Sequence, residues 1–230
     1  MFVVIFAVQP KKERWSDYLE LAKRLKPDLE AMEGFIDNER YRSTRTKDRV
    51  LSLSTWRDGK AVIRWRTQSE HHRVQEKGRL EIFDDYHLRV GEVTDDSDPP
   101  HGLEISQQRF DETTNSAAKA ASITEIMPAA GEQLDIASEL LSAPLGLGGS
   151  ADGLVDREVF ESLYQPGKML LLLIWRDARA AGSWRPDRLF RLGAVRHRRV
   201  RVIRDYGMND RREAPQFFPE VPRPRQAAAE

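Results

Sequence analysis

The sequence predicts an α+β protein in which two tandem ferredoxin-like units, each ordered βαββαβ, pack their antiparallel sheets into an intramolecular pseudo-dimeric α/β barrel. Three observations carry this. The chain repeats itself: with Gly34 laid on Gly153, "WRDGKAVIRWR" falls on "WRDARAAGSWR", and Asp37, Trp56, Asp58 and Trp65 fall on Asp156, Trp175, Asp177 and Trp184. Each copy alternates short β-rich runs with segments of helical periodicity. One face of each sheet is covered by its own helices, and the second copy is at hand to cover the other.

The elements of the first copy follow in order. "FVVIFAV" is a continuous apolar strand that Pro10 ends. Trp15, Tyr18, Leu19, Ala22, Leu25 and Leu29 recur at three-to-four spacing, which predicts a helix with one buried face, and Gly34 follows it as a stop. "FIDNERY" and "VLSLSTW" are strands joined by a polar hairpin at Ser43 to Arg49. Asp58 caps a second helix, which carries Trp65 and runs on through His71 and His72. "YHLRVGEV" closes the unit with strand alternation.

The second copy repeats the order with "SITEIM", an amphipathic segment Glu132 to Leu141, "LVDREVF", "MLLLLIW", a shorter helix weakened by Gly182 and Pro186, and "VRVIRDYGM". The organisation predicted is a first unit at 1–93, a polar linker at 94–121 in which "LEISQQRF" is a candidate edge strand, a second and diverged unit at 122–210, and a proline-rich tail at 211–230 that Phe217 and Phe218 pin to the body.

Charge and composition narrow the function classes. Among 230 residues, 37 basic side chains balance 37 acidic ones, so no net field draws the protein to nucleic acid or an anionic membrane. The basic run Arg196 to Arg204 lacks interleaved aromatics and reads as a solvated strand edge. The longest apolar run, Met169 to Trp175, is far short of the roughly 20 residues that span a bilayer. The N-terminus has no basic region ahead of its apolar stretch, so a cytoplasmic protein is expected. Cysteine is absent, which removes disulfides and thiolate chemistry. The expected partner is a small-molecule ligand or substrate, with self-association beyond the internal pseudo-dimer left open.

Candidate site residues come from what the copies do not share. "VLSLSTW" places Ser52 and Ser54 on one face where the second copy has Leu171 and Leu173, so a polar-lined space is expected in the first unit only. Trp65 and Trp184 recur, which suits helix-to-sheet packing and also a pocket wall. His72 lies two helical turns beyond Trp65 and near its face, whereas His71 turns aside. Adjacent histidines cannot clasp one metal from a shared face, and no metal site is expected. His72 and Trp65 are therefore the catalytic candidates, and Arg40, Ser52, Ser54, His71 and Tyr86 the ligand-binding ones; partly exposed histidines and solvent-facing serines are the alternative.

On "WRDGKAVIRWR", "SEHHRVQEKGR" and "IFDDYHLRVGEV", residues 1–93 resemble the antibiotic biosynthesis monooxygenase family of small dimeric α/β barrel proteins, and the second copy does so more weakly. The resemblance implies cofactor-independent oxygenation of a small aromatic or hydrophobic compound, with the activity mainly in the first unit. Heme is the alternative cofactor, because the family includes heme-degrading enzymes. Those carry an Asn on the first strand, a Trp on the second helix and a heme-ligating His about three turns beyond. Trp65 matches the Trp, but "FVVIFAV" has no Asn and Gln75 stands where the His is expected; after Trp184 that place is Ala194. A non-catalytic small-ligand-binding or stress-response module is the alternative to an enzyme.

Overall fold

The computed structural model describes residues 1–129, 151–187 and 189–215. The first unit contributes β1 (Phe2–Pro10), α1 (Trp15–Glu30), β2 (Phe35–Ser43), β3 (Val50–Trp56), α2 (Gly59–Thr67), α3 (Ser69–Lys77) and β4 (Phe83–Asp96). The second contributes β5 (Ala120–Pro128), β6 (Leu154–Ser162), β7 (Met169–Trp175), α4 (Ala178–Ser183) and β8 (Gly193–Gly207). All eight strands close antiparallel into one barrel in the order β1-β3-β2-β6-β7-β5-β8-β4. Each unit supplies a four-stranded sheet, so the predicted pseudo-dimeric barrel is the fold.

The repeat extends to local geometry. Gly34 and Gly153 sit at φ +85° and +80°, and a Cβ at either would meet Ala61 or Ala180 at 2.7 or 2.5 Å. Only glycine closes this turn against the following helix. Asp58 and Asp177 then cap α2 and α4 alike, each accepting a 2.8 Å hydrogen bond from the backbone N–H of Ala61 or Ala180.

Strand alternation sends Met1, Val3, Ile5, Leu51, Leu53, Ile123, Phe160, Leu170, Leu172 and Val200 inward, where they pack as the barrel core. The opposite faces meet the helices. Trp56 and Trp175, both essentially fully buried, anchor those layers. Their indole N–H groups donate to Ser54 and to Ser122 at 2.9 and 3.0 Å. Leu171, Leu173, Trp184 and the α4 alanines fill the second layer.

The two seams between units differ. β4 and β8 pair along most of their length, from His87↔Gly207 to Asp96↔Arg198. β2 and β6 pair only at Tyr41↔Ser162, Arg42↔Glu161 and Ser43↔Phe160. Beyond that short ladder a charged cluster spans the seam: Glu125 takes Arg198, Lys168 at 2.9 Å and the Tyr41 hydroxyl at 2.6 Å, and Lys168 also reaches Glu39.

Several sequence expectations are corrected. The run Arg196 to Arg204 is no solvated edge, because β8 is paired on both sides and its alternation puts Arg198 inside the barrel, 1% exposed, against Glu125 and Thr55. "LEISQQRF" forms no strand; instead the Gln108 backbone N–H donates to buried Glu92. β4 runs to Asp96 and β5 begins at Ala120, so strand overruns both ends of the region read as linker. The segment Glu132 to Leu141 and residues Phe217 and Phe218 lie outside the described residues.

Candidate functional site

A cavity of about 190 Å³ lies in the first unit, between the outer face of its sheet and helices α1, α2 and α3. Its floor is built by alternate residues of the strands: Val4 and Phe6 of β1, Asn38 and Arg40 of β2, Ser52 and Ser54 of β3, and Leu88 and Val90 of β4. Tyr18, Leu25 and Leu29 of α1, Val62 and Trp65 of α2, and His71, Val74 and Gln75 of α3 form the roof. Tyr206, at the end of β8, closes one side, so the second unit completes a space that the first unit encloses.

The floor offers hydrogen-bond donors. Ser52 Oγ accepts from Asn38 Nδ2 at 3.0 Å, and Ser54 Oγ accepts from the Trp56 indole at 2.9 Å. With a lone pair of each used, both hydroxyl protons remain to be donated. Arg40 donates to the Tyr164 hydroxyl at 2.8 Å, and its buried Nε has no hydrogen-bond partner among the described residues. An otherwise apolar space thus has a floor suited to an acceptor oxygen.

The roof corrects the reading of the histidines. The second helix is not continuous: Gln68 is extended at φ −60°, ψ 130°, which ends α2, and its side chain caps α3 by accepting the His71 backbone N–H at 2.6 Å. Counting two turns from Trp65 across this break therefore fails. His71 turns inward and stacks on Trp65, ring centroids 4.1 Å apart and 15° from parallel, while exposed His72 lines an adjoining vestibule with Tyr86. Of the predicted site residues, Arg40, Ser52, Ser54, Trp65 and His71 surround one cavity; His72 and Tyr86 do not reach it. Tyr18, Asn38, Gln75 and Tyr206 are wall residues that sequence reasoning missed.

His71 Nδ1 lies 2.9 Å from the Trp65 carbonyl oxygen, which can only accept, so Nδ1 carries the proton and Nε2 is the acceptor. Burial, with the neighbouring His72, pulls the His71 pKa down to about 4 against the Trp65 carbonyl. His197, behind Trp184 in the second unit, is likewise drawn to about 4 by burial.

These two groups set an acid-stability window. Their folded pKa values lie below the ordinary 6.5, so between these values the unfolded chain binds more protons. Their contribution is complete above pH 6.5 and is lost as pH falls toward 4, roughly 3 kcal/mol for each histidine. Urea denaturation at pH 7.5 and 4.5 should register this loss, and His71→Gln with His197→Gln should flatten it. A pH-independent midpoint in the wild type across that range would refute it.

Comparison with known proteins accords with this geometry. Residues 1–77 match the family model described as antibiotic biosynthesis monooxygenase. Over 224 residues the chain is 38% identical to jasmonate monooxygenase ABM of Pyricularia oryzae (strain 70-15), spanning 95% of this chain and 99% of that protein. It is 31% identical over 115 residues to the uncharacterized protein YqjZ of Bacillus subtilis (strain 168), spanning 50% of this chain and 88% of that one. A solved aldoxime dehydratase shares the fold at 12% identity, with a TM-score of 0.58 over 87% of this chain and 80% of its own. With a full-length relative, a matching family model over the first unit and the barrel itself, the chain belongs to the antibiotic biosynthesis monooxygenase family.

Proposed function

We propose that this protein is a monooxygenase that oxidises a small, largely aromatic or hydrophobic compound in the first-unit cavity, without a cofactor. The observation that carries this is the pairing of a neutral imidazole over the cavity with a donor-rich floor beneath it. His71 Nε2 takes a proton from an activated methylene of the substrate. The developing oxyanion is stabilised by the Ser52 and Ser54 hydroxyls and by Arg40. Trp65 holds the His71 ring by stacking and walls the cavity.

Electron balance restricts the chemistry. With no external reductant, O₂ takes all four electrons from the substrate: the methylene becomes a carbonyl carrying one oxygen atom, and the other oxygen leaves as water with the two hydrogens. Substrates are therefore compounds whose methylene is acidified by a carbonyl or an aromatic ring. Jasmonate, which the Pyricularia oryzae relative is named for and which carries a ring ketone, is a natural first compound to try.

Heme fits these residues poorly. The first strand has Val4 and Phe6 on the floor where the resemblance implies an Asn, and Gln75 rather than a histidine stands ten residues beyond Trp65. The test is incubation of purified protein under ¹⁸O₂ with jasmonate and a panel of small aryl ketones. One ¹⁸O per product is expected, with His71→Gln slowing turnover about 10²- to 10⁴-fold. Recovery of every compound unchanged would identify a binding module, and full activity in His71→Gln would remove the assigned base.

A further inference from the structure

Beside the cavity lies a vestibule of about 240 Å³ that shares the walls Phe6, Gln75, Phe83, Leu88 and Tyr206 with it. Arg66 lines both spaces, and Arg79 and Arg211 line the vestibule with His72; Glu76, exposed, is its one carboxylate among the described residues. None of the three arginines forms an ion pair among the described residues, in a chain where arginine is elsewhere widely paired with Asp or Glu. Arg66 Nε is buried without a hydrogen-bond partner among the described residues, and Arg211 donates to the Tyr86 hydroxyl. Three guanidinium groups on one lining repel one another and outnumber its carboxylate among the described residues, so an anion held there gains both charge neutralisation and hydrogen bonds.

We infer that this vestibule is a subsite for a carboxylate: the protein's ligands are small apolar acids whose body fills the cavity and whose carboxylate sits among Arg66, Arg79 and Arg211. The inference rests on the cavity being the substrate site and adds the substrate class. Arg40 is the competing cation, but it lies on the cavity floor with its guanidinium held by the Tyr164 hydroxyl, where an oxyanion is expected instead.

The experiment titrates the full chain with 1-naphthylacetate and with its methyl ester, read by tryptophan fluorescence. The acid should bind roughly tenfold to a hundredfold more tightly than the ester, the span that charge-assisted hydrogen bonds supply. Arg66→Gln combined with Arg211→Gln should reduce that ratio to near one, and Arg40→Gln should leave it standing. Arg66 and Arg79 have no ion pair to lose among the described residues, so Arg66→Gln with Arg79→Gln serves as a second variant if the first is poorly folded. Equal binding of acid and ester overturns the carboxylate subsite and leaves the oxygenation reading intact. A ratio abolished by Arg40→Gln alone moves the carboxylate to the floor and also overturns it. Binding of neither compound overturns the subsite and the cavity reading together.

Discussion

A variant carrying Val4→Ser, Ser52→Leu and Ser54→Leu is expected to fold like the parent and to weaken ligand binding about a hundredfold or more, with loss of any turnover. The substitutions copy the second unit into the first. Val4 pairs with Ser54 and Phe6 with Ser52, just as Ser122 pairs with Leu173 and Thr124 with Leu171. In each unit one hydroxyl of the pair accepts the buried indole N–H, from β3 in the first and from β5 in the second. Moving that hydroxyl to β1 keeps the Trp56 bond while leucine takes the floor. Overpacking costs about 1–3 kcal/mol at each filled position, which over two positions reaches a hundredfold in affinity. Ser54→Leu without Val4→Ser should instead unfold more easily, by about 1–3 kcal/mol, because it strands a buried indole N–H. Calorimetric titration with 1-naphthylacetate methyl ester and thermal melts separate the two effects. Unchanged affinity in the triple variant would show that the ligand does not use this cavity.

The architecture was legible because repeated residues report packing that both units need. Gly34, Asp58 and Trp56 recur as Gly153, Asp177 and Trp175, and each does the same work in its own unit. The serine-for-leucine difference on β3 and β7 marked the unit with the open floor. What escaped reading was non-local or hidden by a break. Tyr206 reaches the first unit's cavity only because β8 crosses the seam to pair with β4. The inversion of His71 and His72 turns on Gln68, whose side chain caps α3 while the Thr67 hydroxyl donates back to the Ile63 carbonyl of α2. The burial of Arg198 was not legible either: charge composition says nothing of a partner such as Glu125, far away in sequence.

Glu125→Ala should cost about 3–5 kcal/mol. Glu125 is 8% exposed and Arg198 1%, so removing the carboxylate leaves a guanidinium inside the barrel with, among the described residues, the Thr55 hydroxyl at 3.1 Å as its one hydrogen-bond partner. It also deprives the Tyr41 hydroxyl of its acceptor and Lys168 of one of its two carboxylates. A Glu125→Leu, Arg198→Met double variant should recover most of the loss, since what is costly is the unpaired charge rather than the absence of the pair. Urea denaturation of Glu125→Leu, Arg198→Met and the double variant closes the cycle; a Glu125→Ala loss below about 1 kcal/mol would refute the expectation. Burial would raise the Glu125 pKa, but Arg198 and Lys168 hold it at about 2. The carboxylate's contribution is thus complete above its ordinary 4.5 and fades only as pH falls toward 2, below the histidine window. The cluster stands where β2 and β6 pair over only three residues, so charged side chains complete the closure that the ladder leaves short. Its loss should therefore loosen amide protection on β2 and β6 before β4 and β8, whose long ladder does not depend on it.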